Sequence, residues 1–193
     1  MEKLAPCKIL HLSFDKKRFY KKNCIIRDEN HEIVFSTSET NYKIVVKNIP
    51  IIKIQKHFHG ILTQVFDNTG NEVFKFIRAR HYAEIYSYSG NEKIGYMTRK
   101  EFSSKHTIFD CQNNKLLKIK LPTWSGTYAD KYQVYDLNGI KIADIYRKSE
   151  NSCYASISYL GDIDVTRKAL VLSATILLIP QIELNLKNFD NNL

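Results

Sequence analysis

The stretch "RKALVLSATILLIP" (residues 167–180) opens on two bases, ends on a helix breaker and carries no charge in between. Taken alone it suggests a membrane anchor, but its length decides otherwise. Only Ala169 to Ile179, eleven residues, are free of charges and strong breakers. As a helix they cover about 16 Å, against roughly 30 Å of bilayer hydrocarbon. Extension does not help, because Asp162, Asp164, Arg167 and Lys168 precede the stretch and Gln181 and Glu183 follow it. A helix apolar on every side belongs inside a protein. Asp164 or Thr166 is placed to cap its start, and Pro180 to end it. The expectation is a buried helix over 165–180 and no transmembrane span.

Something must enclose that helix, and the sequence before it repeats one layout. "CIIRDENHEIVF" (24–35), "LTQVFDNTGNEVFKF" (62–76), "EIYSYSGNEKIGY" (84–96), "TIFDCQNNKLLKI" (107–119) and "YQVYDLNGIKIADIY" (132–146) each run from alternating apolar residues into Asp, Asn, Ser or Gly and out again. Asp, Asn and Gly tolerate the left-handed backbone of tight turns, and period-two flanks give each strand one buried face. Each copy reads as a β-hairpin. "YKIVVKNIPIIKIQK" (42–56) reads as another, with its turn at Asn48-Ile49-Pro50. Six hairpins make about twelve strands. So many strands with free edges would aggregate, so closure into a barrel or sandwich is favoured, and a barrel has room for the helix. The repeated turn carboxylates Asp28, Asp67, Asp110 and Asp136 are structural on this reading.

Tyr (12) and Phe (10) are abundant while Gly (7) and Pro (4) are few, so strands are favoured and no low-complexity linker divides the chain. One domain over 1–193 is expected, with 1–20 as an N-terminal strap. The cysteines Cys7, Cys24, Cys111 and Cys153 are scattered without metal spacing, and no secretory signal opens the chain. Reduced thiols in the cytoplasm follow, with Cys7 near the end as a thiol within reach of an acyl chain.

The formal charge of +9 points to anionic partners, either phospholipid headgroups or nucleic acid. Bases cluster with aromatics in "DKKRFYKK" (15–22), "RARHY" (78–82) and "TRKEF" (98–102), and "RK" (147–148) adds two more. Cations beside Phe and Tyr suit a membrane interface. The anion-binding candidates are therefore Lys16, Lys17, Arg18, Lys21, Lys22, Arg78, Arg80, Arg99 and Lys100. His57 and His59 share a strand face, but no carboxylate or cysteine stands near enough in sequence to complete a metal site. Trp124 is a lone loop aromatic. No GxSxG, Walker loop or HExxH occurs, so an enzyme of ordinary type is disfavoured.

The hairpins followed by "GDIDVTRKALVLSATILLI" (161–179) resemble the phospholipid scramblase family, within the superfamily that includes the tubby C-terminal domain and the LURP-one-related proteins. Asp162-Ile163-Asp164-Val165 and Lys168-Ala169 stand in the places of that family's C-terminal signature, and "FDNTGNEVFKFIRA" (66–79) and "GYMTRKEFSSKHTIFDCQNNKLLKI" (95–119) resemble its internal hairpins. The resemblance covers about residues 20–182. It implies a mainly β fold: a closed antiparallel barrel of about twelve strands around a buried C-terminal helix. It also implies anionic phospholipid binding at the cytosolic membrane face and, nominally, phospholipid scrambling. The family's proline-rich N-terminal region and cysteine cluster are missing. Its acidic calcium segment is reduced to Glu150, Asp162 and Asp164, too few carboxylates for calcium, so no cofactor is expected. The alternative is a soluble module whose basic loops bind a protein partner or nucleic acid.

Overall fold

Alternation of apolar and polar residues builds twelve strands, and their hydrogen bonding closes on itself. A computed structural model describes residues 2–14, 23–45, 57–78, 82–87, 92–98, 105–120, 131–147 and 154–190. After a 3-10 turn at Glu2–Leu4 come β1 (Ile9–Phe14), β2 (Cys24–Arg27), β3 (Ile33–Val45), β4 (His57–Asp67), β5 (Glu72–Arg78) and β6 (Tyr82–Ser87). Then follow β7 (Lys93–Thr98), β8 (Lys105–Phe109), β9 (Lys115–Lys120), β10 (Lys131–Tyr135), β11 (Lys141–Arg147), β12 (Tyr154–Tyr159) and the helix α1 (Val165–Asp190). Every neighbouring pair is antiparallel, and β1 joins β12 to β2, with Leu12 opposite both Ala155 and Ile26. The barrel is closed, which leaves no free edge for aggregation.

The strand count matches the expectation, but the strands are divided differently. The hairpins expected at 24–35 and 42–56 leave the polar run "STSETN" (36–41) between them, yet it is the middle of the thirteen-residue strand β3. β3 pairs with β4 from Phe35↔Asp67 to Val45↔His57, and the turn expected at 48–50 lies outside the described residues. Thr37 and Glu39 fall on the inward face and are buried there, so hydroxyl and carboxylate side chains occupy positions where the pattern expected apolar ones. The remaining two strands are β1, from the segment expected as a strap, and β12.

Inward residues form the core. Leu10, Leu12, Ile26, Phe35, Val65, Phe74, Phe76, Ile108, Leu117, Ile119, Val134 and Ile157 are fully buried. They pack on α1, in which every residue from Lys168 to Leu178 is buried. The apolar stretch is the filling of the barrel, as its lack of a polar face requires. Among the described residues no helix is long and apolar enough to cross a membrane. One expectation is corrected: α1 does not stop at Pro180 but runs on to Asp190. Proline removes one backbone donor and costs about 3 kcal/mol in a helix interior, but it ends a helix only when the flanking turns cannot hold. Here Leu177 and Leu178 before it are buried, and the good helix formers Gln181, Glu183 and Leu184 follow.

A basic end and an acidic end of the barrel

The up-and-down order gives the barrel two unlike ends. Odd-numbered strands up to β11 and even-numbered strands up to β12 run in opposite directions, so connections alternate strictly between ends. At one end, the turn end, stand the connections 28–32, 67–71, 88–92, 110–114, 136–140 and 160–164. Four of them share one construction. Asp28, Asp67, Asp110 and Asp136 each exchange backbone bonds across the turn, and the fourth residue of each accepts a positive φ: His31 (64°), Gly70 (85°), Asn113 (70°) and Gly139 (81°). The Asp carboxylate closes the turn from inside. Oδ1 of Asp67 accepts the N–H of Thr69 at 2.9 Å and of Asn71 at 3.0 Å, and Asp28 and Asp110 accept in the same pattern. These carboxylates are committed to turn geometry.

Asp67 is held at about 2, first by the Thr69 hydroxyl and then by the N–H groups of Asn71 and Thr69 and by nearby Lys3. Its folded pKa lies below the unfolded value of about 3.9. The ionised turn therefore contributes stability above about pH 4 and loses it as the pH falls towards 2. A stability–pH profile is expected to show a shallower acid limb for Asp67→Asn than for wild type; identical limbs would show that this turn does not titrate with folding.

The turn end is also sealed. Lys168, on the first turns of α1, is 6% exposed, and its Nζ donates to the carbonyl oxygens of Ala5 and Cys7 while lying 5.3 Å from the Tyr159 ring centroid. The Tyr159 hydroxyl donates back to the Lys168 carbonyl at 3.1 Å. Leu4 is fully buried, and Lys3 reaches Asp67 and Asn68 across the end. Cys7 is 4% exposed, its Sγ donates to the Lys3 carbonyl, and burial followed by the charges of Glu29 and Asp28 pushes its thiol up. A thiol held this way is a poor acylation site without local opening.

Two of the three candidate calcium carboxylates lie among the described residues, both at the turn end. Asp164 caps α1, accepting the Arg167 N–H at 2.8 Å, and Asp162 is exposed beside it at the turn end. Glu150 lies outside the described residues. Among the described residues no group of three His, Cys, Asp or Glu could hold a metal ion.

That opposite end, the loop end, receives the connections 15–23, 46–56, 79–81, 99–104, 121–130 and 148–153. Read from the sequence, they carry twelve Lys and Arg against four Asp and Glu. The six turn-end connections carry nine Asp and Glu and no Lys or Arg, with Lys3 and Lys8 of the N-terminal segment beside them. Lys16, Lys17, Arg18, Lys21, Lys22, Arg80, Arg99 and Lys100 all lie outside the described residues, but the strands that hold their segments all terminate at this one end. Arg78 is described: it closes β5 there, half-buried.

Strand residues extend the basic character there, whereas at the turn end Arg27, Lys93, Lys115 and Lys141 offset part of the acidic charge of the turns. Lys105 of β8 and Lys120 of β9 stand directly opposite each other at the loop end, both exposed. Like charges in that position oppose strand pairing. Lys120 Nζ lies 4.3 Å from the Tyr135 ring centroid, and Lys131 Nζ 4.9 Å from that of Tyr146. Inside the mouth the lining turns polar: Glu39, Thr63, His106, Tyr132 and Arg147 are buried on inward positions of β3, β4, β8, β10 and β11. Sequence reading singled out the bases, but not that the strands flanking their segments end together, nor Arg147 as an interior residue. The signal was available in the alternation along the chain of turns without Lys or Arg and connections of which all but 121–130 carry one.

The outer face of the barrel is mixed, with Gln64, Lys75, Glu84, Lys93, Lys118 and Lys120 on outward positions and Ile9, Ile25, Tyr146 and Tyr154 exposed among the strands.

Comparison with known proteins agrees with this architecture. None of the curated proteins matches the sequence. A protein from Arabidopsis thaliana with a crystal structure has the same fold, with a TM-score of 0.54, 13% identity and 93% of each chain covered. The profile of the scramblase family matches residues 20–180, which span all but the first strand of the barrel and the buried part of α1. The chain is a member of the scramblase family.

Proposed function

We propose that this protein binds anionic phospholipid with the loop end of its barrel, as a peripheral protein on the cytosolic face of a membrane. The observation that carries the reading is the charge segregation: twelve bases in the connections of one end and nine acids in those of the other. A barrel so polarised orients itself over a negative surface, basic end first. The sealed acidic end faces away. Aromatic residues interleave with the bases at Phe19, Tyr20 and Phe102, as suits the headgroup boundary. Membership of the scramblase family supports a lipid-related role. Transbilayer lipid movement by this chain alone is a weaker reading. Moving a headgroup needs a polar path through hydrocarbon, and the barrel interior is filled by residues 168–178 of α1.

Each base near an anionic leaflet contributes about 1 kcal/mol. Replacing Lys16, Lys17, Arg18, Lys21 and Lys22 together by Gln is therefore expected to reduce partition onto phosphatidylserine-containing vesicles by more than a hundredfold. Co-sedimentation with and without phosphatidylserine checks this. Equal, negligible pelleting in both would remove the lipid reading. A basic barrel end also suits nucleic acid. That alternative predicts binding to mixed-sequence RNA or DNA that collapses between about 50 and 200 mM salt.

A further inference from the structure

Arg147 is the last residue of β11, at the loop end. Along this strand Ala143, Ile145 and Arg147 take the inward face, and Asp144 and Tyr146 the outward one. An arginine is out of keeping with that interior. Ala155 of β12 stands directly opposite it, and Ile145 and Tyr132 lie one step deeper. Arg147 is only 8% exposed, and among the described residues its Nε has no hydrogen-bond partner. A buried guanidinium donor without an acceptor is costly, and proteins resolve it with an anion. Among the described residues the protein offers none. Asp144 is on the other face, where its Oδ2 takes Lys131 and Lys141 at 3.1 Å each. Glu39 is the buried interior carboxylate of the loop end, but β3 is four strands further round the wall, about 19 Å along the sheet. The centre between them is filled by α1.

We infer that Arg147 is a phosphate-binding residue at the mouth of the barrel, presenting Nε and one Nη as a fork to two oxygens of a phosphate group. Guanidinium and phosphate match in this bidentate geometry, which an ammonium cannot reproduce. The inference rests on the anionic-lipid reading and adds a headgroup preference to it. The surrounding loop bases respond to surface charge of any kind, whereas the fork selects an accessible phosphomonoester.

The test compares phosphatidylcholine vesicles containing phosphatidic acid with vesicles containing a fatty acid at matched zeta potential. The wild type is expected to bind the phosphatidic acid vesicles on the order of tenfold more tightly. Arg147→Lys keeps the charge and loses the fork, so it is expected to bind both vesicles equally while keeping its affinity for the fatty-acid ones. A retained preference in Arg147→Lys overturns the inference and leaves the lipid reading standing. Glycerol 3-phosphate without vesicles gives an independent arm: it is expected to raise the thermal midpoint of wild type and not of Arg147→Lys. If neither vesicle is bound, the lipid reading falls, and this shift alone decides whether the phosphate site exists. Glu150→Gln should bind glycerol 3-phosphate as wild type does; a marked gain would assign the fork to Glu150 and overturn the site.

Discussion

Gly95→Ala is expected to lower the unfolding free energy by about 3 kcal/mol, moving the denaturation midpoint with little change in slope. Gly95 is buried on β7, facing α1. A Cβ built there meets the Phe109 carbonyl oxygen of β8 at 2.5 Å and Leu170 Cδ2 at 3.0 Å. The leucine can rotate, but the carbonyl belongs to the strand pair Tyr96↔Phe109 next door and cannot move without opening it. Adding Leu170→Ala to Gly95→Ala should therefore recover little. Full recovery in the double variant would place the strain on the helix instead, and an unchanged midpoint in the single variant would show that β7 has room to spare.

Lys168→Met should loosen the sealed end. Methionine fills comparable space but leaves the carbonyls of Ala5 and Cys7 without their shared donor. The expected loss is about 2 kcal/mol. Its location is the sharper signature, because the N-terminal turn is held to the barrel end through Lys168 and Leu4. Alkylation of Cys7, slow in wild type because the thiol is buried and shifted upward, is expected to rise on the order of tenfold through local opening. Exposed Cys111 provides the internal reference. Peptide mapping after timed alkylation reads the two separately. Cys7 protected as fully as in wild type would show that Lys168 does not hold the segment.

These two residues show which parts of the fold were legible. Lys168 belongs to "RKAL", which the sequence marks as the start of an apolar helix. That the lysine itself is buried, held by two carbonyls from residues more than 160 positions away, is a long-range fact no local pattern contains. The hairpins at 62–76, 84–96, 107–119 and 132–146 were readable because Asp, Gly and Asn mark turns and period-two alternation marks strands. β3 was misdivided at "STSETN" because its inward Thr37 and Glu39 are polar, and alternation of hydrophobicity is then silent. Pro180 was read as a stop because proline propensity is local, whereas the helix is held by its buried face.

The same division applies to function. The basic clusters are plain in the sequence, but as separate patches they are compatible with a merely solvated surface. Closure of the barrel changes their meaning. Alternating strand direction sends all five connections that carry Lys or Arg to one end and all six acidic turns to the other. It also turns Arg147 inward. Composition and spacing, which act over a few residues, determined the strands, the turns and the central helix. Which connections share an end, and which polar group is buried without an acceptor among the described residues, depends on pairing between residues far apart in the chain, and only the tertiary structure decided it.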